Sequence, residues 1–363
     1  MPTPVDYTAL KARIRDWATT LGFDALGVAG TDLADDEVKL LNWLSDGRHG
    51  DMKYMARHGA KRSRPAELVP NTVRVISVRM SYWPDDAAPA WSVLNDAERA
   101  YISRYAVGRD YHKYMRRRLQ QLADRIETEV GPFGYRAFVD SAPVLEKPLA
   151  RNAGLGWVGK HTNVLHHKHG SFFFLGELYT DLPLPPDAAL EDHCGRCQAC
   201  IEACPTGAIT APYQLDARLC ISYLTIEHHG PIPTALRPAL GNRLYGCDDC
   251  QLVCPWNRFK TGTAHDAFAP RHGLDNPTIV DLLRWSEADF DKRTRGSPIR
   301  RIGYERWCRN LAVVAGNAPY DETLLATLRA ARAGASALVD EHLEWALNQL
   351  TEKGRMAEQS HAD

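Results

Sequence analysis

Seven of the nine cysteines fall in two short runs, each followed by a proline. In the first run, three cysteines are separated by two residues each and a fourth follows after three more. In ferredoxins this pattern supplies three thiolates to one 4Fe-4S cluster and the fourth to a second cluster. The second run repeats the last three positions, but its first position, residue 244, is leucine. The cysteines are Cys194, Cys197, Cys200 and Cys204, then Cys247, Cys250 and Cys254. The pattern predicts two clusters and leaves one ligand missing.

Cys220 is the natural source of the missing thiolate. Two four-ligand sites then close, one with Cys194, Cys197, Cys200 and Cys254, the other with Cys204, Cys220, Cys247 and Cys250. Zinc is the alternative because paired CxxC motifs also bind it, but the proline after each run and the crossover of ligands favour iron and sulfur. Cys308 lies in an apolar helical segment and is predicted to be a core residue. Such clusters carry single electrons, so other residues must hold the substrate.

A glycine-rich stretch nearly matches two nucleotide-binding motifs. Gly154, Gly156 and Gly159 satisfy GxGxxG, and Lys160 extends the match towards a phosphate-binding loop. Residue 161 is histidine, however, where that loop needs serine or threonine, and the residues after it favour an extended chain. Close approach of the backbone to some other large ligand explains the three glycines better.

Asp110 and His112 begin the DxHxxG signature of cobalamin enzymes that supply histidine to cobalt. Residue 115 is methionine, so the signature fails. If a corrinoid binds this chain, we do not expect cobalt to be ligated by that route.

The residues before the cysteines alternate between helical and strand patterns. Apolar residues three and four positions apart predict helices, and short apolar runs predict strands. The mixture indicates an α/β layered domain over residues 1–183. The predicted helices are 10–21 and 110–130, and the predicted strands are 24–29, 73–80 and 135–139.

A proline-rich stretch near residue 185 indicates a domain boundary. A ferredoxin-like domain with both clusters is predicted over 184–264. Over 265–350, apolar residues at helical spacing predict an all-α domain that resembles a HEAT-like solenoid. The polar residues 351–363 are predicted to be a disordered tail. The helical segments are 305–315, 322–333 and 338–350.

Composition gives general limits: 363 residues, 44% hydrophobic, 25% charged, with a formal net charge of −1. No apolar run reaches the roughly 18 to 20 residues of a membrane span, and no signal sequence is recognisable. We therefore expect a cytosolic protein, in which cysteines bind metal rather than form disulfides.

Nucleic-acid binding would need local positive charge. Two basic patches, or alternatively two solvated helix faces, are Arg104, Arg109, Lys113, Arg116, Arg117 and Arg118, and Arg293, Arg295, Arg300, Arg301, Arg306 and Arg309.

From residue 6 to about 350 the chain resembles the epoxyqueuosine reductases, cobalamin-dependent iron–sulfur enzymes of queuosine synthesis. The resemblance implies reduction of epoxyqueuosine to queuosine at the wobble position of a tRNA anticodon loop. It also implies an N-terminal cobalamin-binding domain, a ferredoxin domain and C-terminal helical repeats. The matching stretches are 54–59 (YMARHG), 104–113 (RYAVGRDYHK), 139–146 (VDSAPVLE), 154–161 (GLGWVGKH), 171–177 (SFFFLGE) and 245–251 (YGCDDCQ).

The resemblance also implies individual site residues. Asp140 matches the catalytic aspartate and is expected to be the proton donor, which at neutral pH needs a pKa raised by burial or by a neighbouring negative charge. Without the resemblance, an aspartate before Ser-Ala-Pro indicates a turn or a helix cap. The implied cobalamin contacts are Arg57, Asp140, Val164, Leu175, Ser222 and Asp248.

Three other functions fit parts of the sequence. A corrinoid iron–sulfur reductase of a small molecule, such as a dehalogenase, usually carries a twin-arginine signal, and none is visible here. An iron–sulfur electron carrier would not need about 180 residues before its clusters. A tRNA-binding scaffold with structural clusters would not bind a corrinoid. For the favoured function the expected partners are tRNA and a reductant protein, for example of the flavodoxin type, and a monomer is expected.

Overall fold

The computed structural model describes residues 5–360. Some of its helices begin at capping residues: the Asp6 side chain accepts hydrogen bonds at the start of the first helix, and the Asp110 side chain accepts one at the start of the sixth. None of the helices in this range is long and apolar enough to cross a membrane. The helices are α1 Tyr7–Thr20, α2 Ala34–Ser45, α3 Tyr54–Arg57, α4 Pro65–Leu68, α5 Ala90–Leu94, α6 Tyr111–Val130, α7 Glu146–Asn152, α8 Ala199–Glu202, α9 Ile221–Ile226, α10 Arg237–Leu240, α11 Asp249–Leu252, α12 Ile279–Leu283, α13 Glu287–Arg293, α14 Gly303–Asn317, α15 Glu322–Ala331 and α16 Ala337–Ser360.

The strands form one four-stranded sheet and three two-stranded pairs over the described residues. The four-stranded sheet has the order β1-β2-β7-β4 and is antiparallel throughout. The α/β character predicted for the N-terminal region is confirmed. The strands are β1 Ala25–Ala29, β2 Arg74–Ser81, β3 Tyr101–Ile102, β4 Tyr135–Val139, β5 Trp157–Val158, β6 Val164–Leu165, β7 Phe173–Thr180, β8 Ile209–Ala211, β9 Gln214–Leu215 and β10 Arg243–Tyr245.

Helices cover both faces of the four-stranded sheet. Because side chains alternate across a strand, Ile76 and Val78 of β2 pack towards α1 and α6, whereas Val75 packs towards α7. The buried stripe of α6 includes Met115, Leu119 and Leu122, which leaves its opposite face in solvent. The sheet therefore fixes the N-terminus of α6 and the end of β4 close to one another.

The three predicted regions share a hydrophobic core. Strand β3, from the N-terminal region, pairs in parallel with β10, from the cysteine-rich region. Ile102 and Leu244 of these strands belong to the same buried cluster as Trp307 and Leu311 of α14. The helical segments predicted at the C-terminus are present as α14, α15 and α16, but the domain bounds 1–183, 184–264 and 265–350 stay a prediction.

The final helix is longer than predicted. Residues 351–360, expected to be disordered, form the last turns of α16, and residues 361–363 lie outside the described range. Lys353 donates hydrogen bonds to the carbonyls of Gly316 and Ala318 at 2.9 and 2.7 Å, and Gly354 packs on the ring of Tyr320. These long-range contacts hold residues 351–360 in the helix, although their polar sequence has no apolar stripe that would predict one.

Candidate functional site

Four side chains meet where β4 ends and α6 begins. Asp140 follows the last residue of β4, and Tyr111 and His112 occupy the first turn of α6. The Tyr111 hydroxyl donates a hydrogen bond to Asp140 Oδ2, and His112 Nε2 lies 2.6 Å from Asp140 Oδ1. The other ring nitrogen, His112 Nδ1, lies 2.6 Å from Oδ1 of Asp110, the helix N-cap. We call Asp110, Tyr111, His112 and Asp140 the acid cluster.

The histidine of the acid cluster is held in its charged form. Burial acts to lower the pKa of His112, but the hydrogen bonds with Asp110 and Asp140 outweigh it and raise the pKa to about 9. Burial also acts to raise the pKa of Asp140, yet the hydrogen bond and charge of His112 outweigh it, so the pKa of Asp140 is lowered. At neutral pH the proton of this pair therefore rests on His112.

This outcome differs from the expectation for Asp140. A raised pKa was needed for a carboxylic acid that donates a proton directly, and the structure gives the opposite direction. The physical reason is the ion pair with His112, which the sequence could not place 28 positions away. Both nitrogens of His112 lie against carboxylates, so the ring has no free lone pair for cobalt, in line with the failed DxHxxG signature.

The acid cluster lines a cavity of about 430 Å³, which we call the central cavity. Three of the predicted cobalamin contacts, Val164, Leu175 and Ser222, line it together with Asp140. Cys220 also reaches its wall. The remaining lining is largely apolar and aromatic, including Tyr82, Tyr105, Phe173, Phe174, Leu215, Ile226 and Tyr245. Four of the six predicted cobalamin contacts are thus brought together.

The other two lie elsewhere. Arg57 ends the short helix α3, is exposed and is not part of the cavity lining, so its role as a cobalamin contact stays a prediction. Asp248 is buried beside the cysteines, where it accepts hydrogen bonds from Tyr101 (2.7 Å), Ser103 (2.6 Å) and the Arg104 amide (2.8 Å). These bonds anchor the cysteine-rich loop to β3 and satisfy the Asp248 carboxylate.

A second cavity, of about 270 Å³, adjoins the central one, and we call it the cluster cavity. It is lined by the four cysteines predicted to bind one cluster: Cys204, Cys220, Cys247 and Cys250. Burial, with the charges of Cys220 and Cys204, raises the pKa of the Cys250 thiol well above its usual value. Cationic iron would offset that cost, because thiolates are the form that binds metal. Cys220 and Ser222 line both cavities, so a cluster here would border the central cavity.

The other four cysteines lie nearer the surface. Cys197 is exposed, whereas Cys194 and Cys254 are half-buried and Cys200 is buried. Burial, together with the negative charge of the three neighbouring thiolates, raises the pKa of Cys254 to about 11. The Trp157 indole donates to Cys194 Sγ at 3.5 Å. Cys254 thus faces the first cysteine run, and the crossover assignment of ligands to clusters stays a prediction.

Within residues 5–360, no three or more His, Cys, Asp or Glu side chains are close enough to hold one ion. Cys308, the ninth cysteine, is half-buried and packs against the C-terminal core, as predicted.

The glycine-rich stretch packs against the protein's own backbone rather than a ligand. A side chain at Gly156 would place its Cβ 2.2 Å from the Leu165 carbonyl oxygen, and one at Gly154 (φ +72°) would meet the Ala188 carbonyl oxygen at 2.6 Å. Lys160 donates to the carbonyls of Gly195 and Cys197 at 2.6 and 2.8 Å. The apparent phosphate-loop lysine therefore clamps the first cysteine run.

A basic groove meets the central cavity. Its cationic lining comes from both basic patches: Arg109, Lys113, Arg116, Arg117, Arg118, Arg300 and Arg301. Asp110, His112 and Arg301 line the groove and the central cavity alike. A chain of phosphates in the groove could therefore place a base into the cavity.

Two arginines of the patches were wrongly expected at the surface. Arg104 is 1% exposed and donates to the carbonyls of Ala88 and Asp275. Arg309 is fully buried and donates to backbone carbonyls of the loop after α9. Both tie distant segments together, and local sequence carries no sign of such long-range bonds.

Sequence reasoning missed Glu146 and Tyr111. Glu146 begins α7 and lines the central cavity, and its Oε2 is buried with no hydrogen-bond partner among the described residues. Burial and the neighbouring Asp140 raise the pKa of Glu146 to about 8, so it is largely protonated at neutral pH. The sequence feature that could have identified Glu146 is its position at the end of the matching stretch 139–146, seven residues after Val139, where a strand ends.

Comparison with known proteins identifies the family of this chain. The family model described as "Epoxyqueuosine reductase QueG, DUF1730" matches residues 62–141, and the "4Fe-4S double cluster binding domain" model matches residues 193–257. The epoxyqueuosine reductase of Pseudomonas aeruginosa is 60% identical over 95% of this chain and 96% of its own. That of Escherichia coli K12 is 54% identical over 97% of this chain and 93% of its own.

Solved structures agree. An epoxyqueuosine reductase from Streptococcus thermophilus has a TM-score of 0.84 at 26% identity, covering 94% of this chain and 90% of that one. An epoxyqueuosine reductase in complex with an epoxyqueuosine-modified tRNA-Tyr stem loop has a TM-score of 0.77 at 26% identity, covering 94% of this chain and 99% of that one.

Proposed function

Because the chain belongs to the epoxyqueuosine reductase family, we propose that it reduces epoxyqueuosine to queuosine at the wobble position of a tRNA anticodon loop. One observation carries this proposal: the central cavity is bordered by Cys220, a predicted cluster ligand, and also by the acid cluster and the basic groove. Electrons, protons and a polyanionic substrate could therefore reach the same space.

The electrons are assigned to two 4Fe-4S clusters. We assign Cys194, Cys197, Cys200 and Cys254 to an outer cluster and Cys204, Cys220, Cys247 and Cys250 to an inner one. Three observations support this: the inner four line one cavity, Cys254 faces the first run, and the matched double-cluster domain spans both runs. The exposure of Cys197 makes the outer cluster the entry point for electrons from a reductant protein, for example of the flavodoxin type.

The central cavity also fits a corrinoid. Its wall is made largely of apolar and aromatic side chains, which suit a large flat ring. The residues proposed to hold it are Asp140, Val164, Leu175 and Ser222, with Arg57 and Asp248 as more distant members of the predicted set. When bound, cobalamin would supply the strongly reducing centre that opens the epoxide.

The chain's own residues position and protonate the substrate. The acid cluster stands at the boundary between groove and cavity, so a wobble base entering from the groove would pass it. Asp140 is proposed as the group that delivers the proton to the epoxide oxygen, and Tyr111 and His112 hold its carboxylate in place. The groove arginines and lysine would bind anticodon-loop phosphates.

The proposal includes a monomer acting in the cytosol. It is tested by anaerobic purification from cobalamin-fed cells, iron and cobalt analysis, and mass spectrometry of tRNA after incubation with a reductant. About eight irons and one cobalt per chain, with conversion of epoxyqueuosine to queuosine, are expected. Eight irons without cobalt and without conversion would leave an iron–sulfur protein of another function.

A further inference from the structure

Reduction of an epoxide to an alkene consumes two protons. Two C–O bonds break, a C=C bond forms, two electrons enter from the clusters, and the oxygen takes up two protons and leaves as water. We propose that His112, acting through Asp140, and Glu146, acting directly from the cavity wall, are the two stores from which these protons come. This inference rests on the proposed function and adds to it the source of both protons.

The first store is the line Asp110–His112–Asp140. His112 Nε2 lies 2.6 Å from Asp140 Oδ1, so a proton can pass along an existing hydrogen bond. Asp110 holds His112 Nδ1 at 2.6 Å and receives the His112 amide at 2.9 Å, which fixes the ring orientation. Because Asp140 is ionised and the proton of the pair rests on His112, His112 passes a proton to Asp140, and Asp140 delivers it to the substrate oxygen. Because His112 acts through Asp140, it is a positioning and proton-storing residue.

The second store is Glu146. Its Oε2 is buried at the cavity wall without a hydrogen-bond partner among the described residues, which is costly for an ionised carboxylate and acceptable for a carboxylic acid. Asp140, across the same cavity, adds negative charge that disfavours a second carboxylate. The nearby cations Lys147, His112 and Arg62 act against this and do not overcome it.

Other charged groups face the first store. Arg301, on the turn 298–302, stabilises the carboxylates of Asp110 and Asp140 and forms an ion pair with Glu227 at 2.8 Å. Glu146 faces it from α7. The pKa of His112, raised to about 9, and that of Glu146, raised to about 8, include these neighbours. Both acids are therefore protonated below pH 8, and both are deprotonated above pH 9.

The test is the pH dependence of single-turnover conversion of an anticodon stem loop carrying epoxyqueuosine, with excess chemical reductant, between pH 6 and 10. The wild-type rate should fall with two deprotonations, near pH 8 and pH 9. Asp110→Asn removes one carboxylate from His112, so the higher of the two deprotonations should move down by about one pH unit or more relative to the wild type. In Glu146→Gln the fall in rate near pH 8 should be absent, and conversion should be slower by about 100-fold, which is the lower range for loss of a general acid.

Asp340→Asn is the matched control, because it makes the same change at an exposed ion pair with Arg332 on the C-terminal helices. Its profile should equal that of the wild type, and iron content checks that every variant keeps its clusters. If wild type converts the substrate and the Asp110→Asn and Glu146→Gln profiles keep both limbs, the inference is wrong and the proposed function stands. If wild type converts nothing, the proposed function fails, and the inference with it.

Discussion

The basic groove gives a quantitative prediction about tRNA binding. Among the described residues, Arg109, Lys113, Arg116 and Arg117 line the groove, are exposed and form no ion pair. Each cation that neutralises a phosphate releases condensed counterions, which contributes about −0.7 to −0.9 to the slope of log K against log salt concentration. Four such contacts give a slope of about −3, or roughly a 60-fold loss of affinity between 50 and 200 mM salt.

The perturbation is Arg116→Ala with Arg117→Ala. Removing two of the four contacts should reduce the slope to about −1.5, so that the same change in salt costs only about eightfold. The assay is anaerobic fluorescence anisotropy with a labelled anticodon stem loop at several salt concentrations. Both side chains are on the solvent face of α6, so the fold and the iron content should not change.

The control removes the same charge elsewhere. Arg329→Ala with Arg332→Ala takes two exposed arginines from the C-terminal helices, outside the groove lining. Its slope should match that of the wild type. An unchanged slope in the α6 double variant, or an equal reduction in the control, would refute the assignment of the groove to phosphate binding.

Three further outcomes are expected. Cys254→Ser should leave about half of the iron, because one cluster loses a ligand, whereas Cys308→Ser should keep about eight irons by colorimetric analysis. Because the pKa of Glu146 is raised to about 8 in the folded protein, the free energy of unfolding of the wild type should fall as the pH rises from about 4.5 to about 8, by at most about 1.4 kcal/mol per pH unit. Glu146→Gln removes this loss, so the stability of the variant relative to the wild type should be greater at pH 8 than at pH 5. Urea titrations of both proteins at the two pH values would measure the difference. Gly316→Ala should lower the free energy of unfolding by about 1–2 kcal/mol despite better helix propensity, because its Cβ would lie 2.5 Å from the Trp345 ring and 2.9 Å from the Ala346 Cα; a urea midpoint equal to that of wild type would contradict the close packing of α14 on α16.

Local patterns predicted the elements that carry the site. Strand 135–139 is observed as Tyr135–Val139, helix 110–130 as Tyr111–Val130, and strand 73–80 as Arg74–Ser81. Helix 111–130 is buried on one side, so the period of its apolar residues reports its geometry directly, whereas strand 74–81 is buried on both faces and is recognisable as a short apolar run. The cysteine spacing likewise carries ligand geometry within each run, although Cys220 could be assigned only by counting.

Long-range contacts were beyond the sequence. Nothing near Asp140 shows that His112 would supply its ion pair, and so the direction of its pKa was not predictable. Arg104 and Arg309 have the composition of surface residues, yet each satisfies buried carbonyls from distant segments. The end of α16 depends on Lys353 reaching carbonyls at the end of α14. In each case a partner far along the chain decides the environment.

Helix α6 explains why the basic groove and the acid cluster lie side by side. Its N-cap and first turn supply Asp110, Tyr111 and His112, and its buried stripe fixes this end against the sheet beside β4. Its exposed face, starting one residue later at Lys113, supplies the cations of the groove. A rigid helix sets the distance between the two, so phosphates held along α6 would fix where a wobble base meets Asp140. Variants on the exposed face should therefore weaken tRNA binding and leave the pH profile of conversion unchanged. Variants of the first turn should change the pH profile of conversion and leave tRNA binding unchanged.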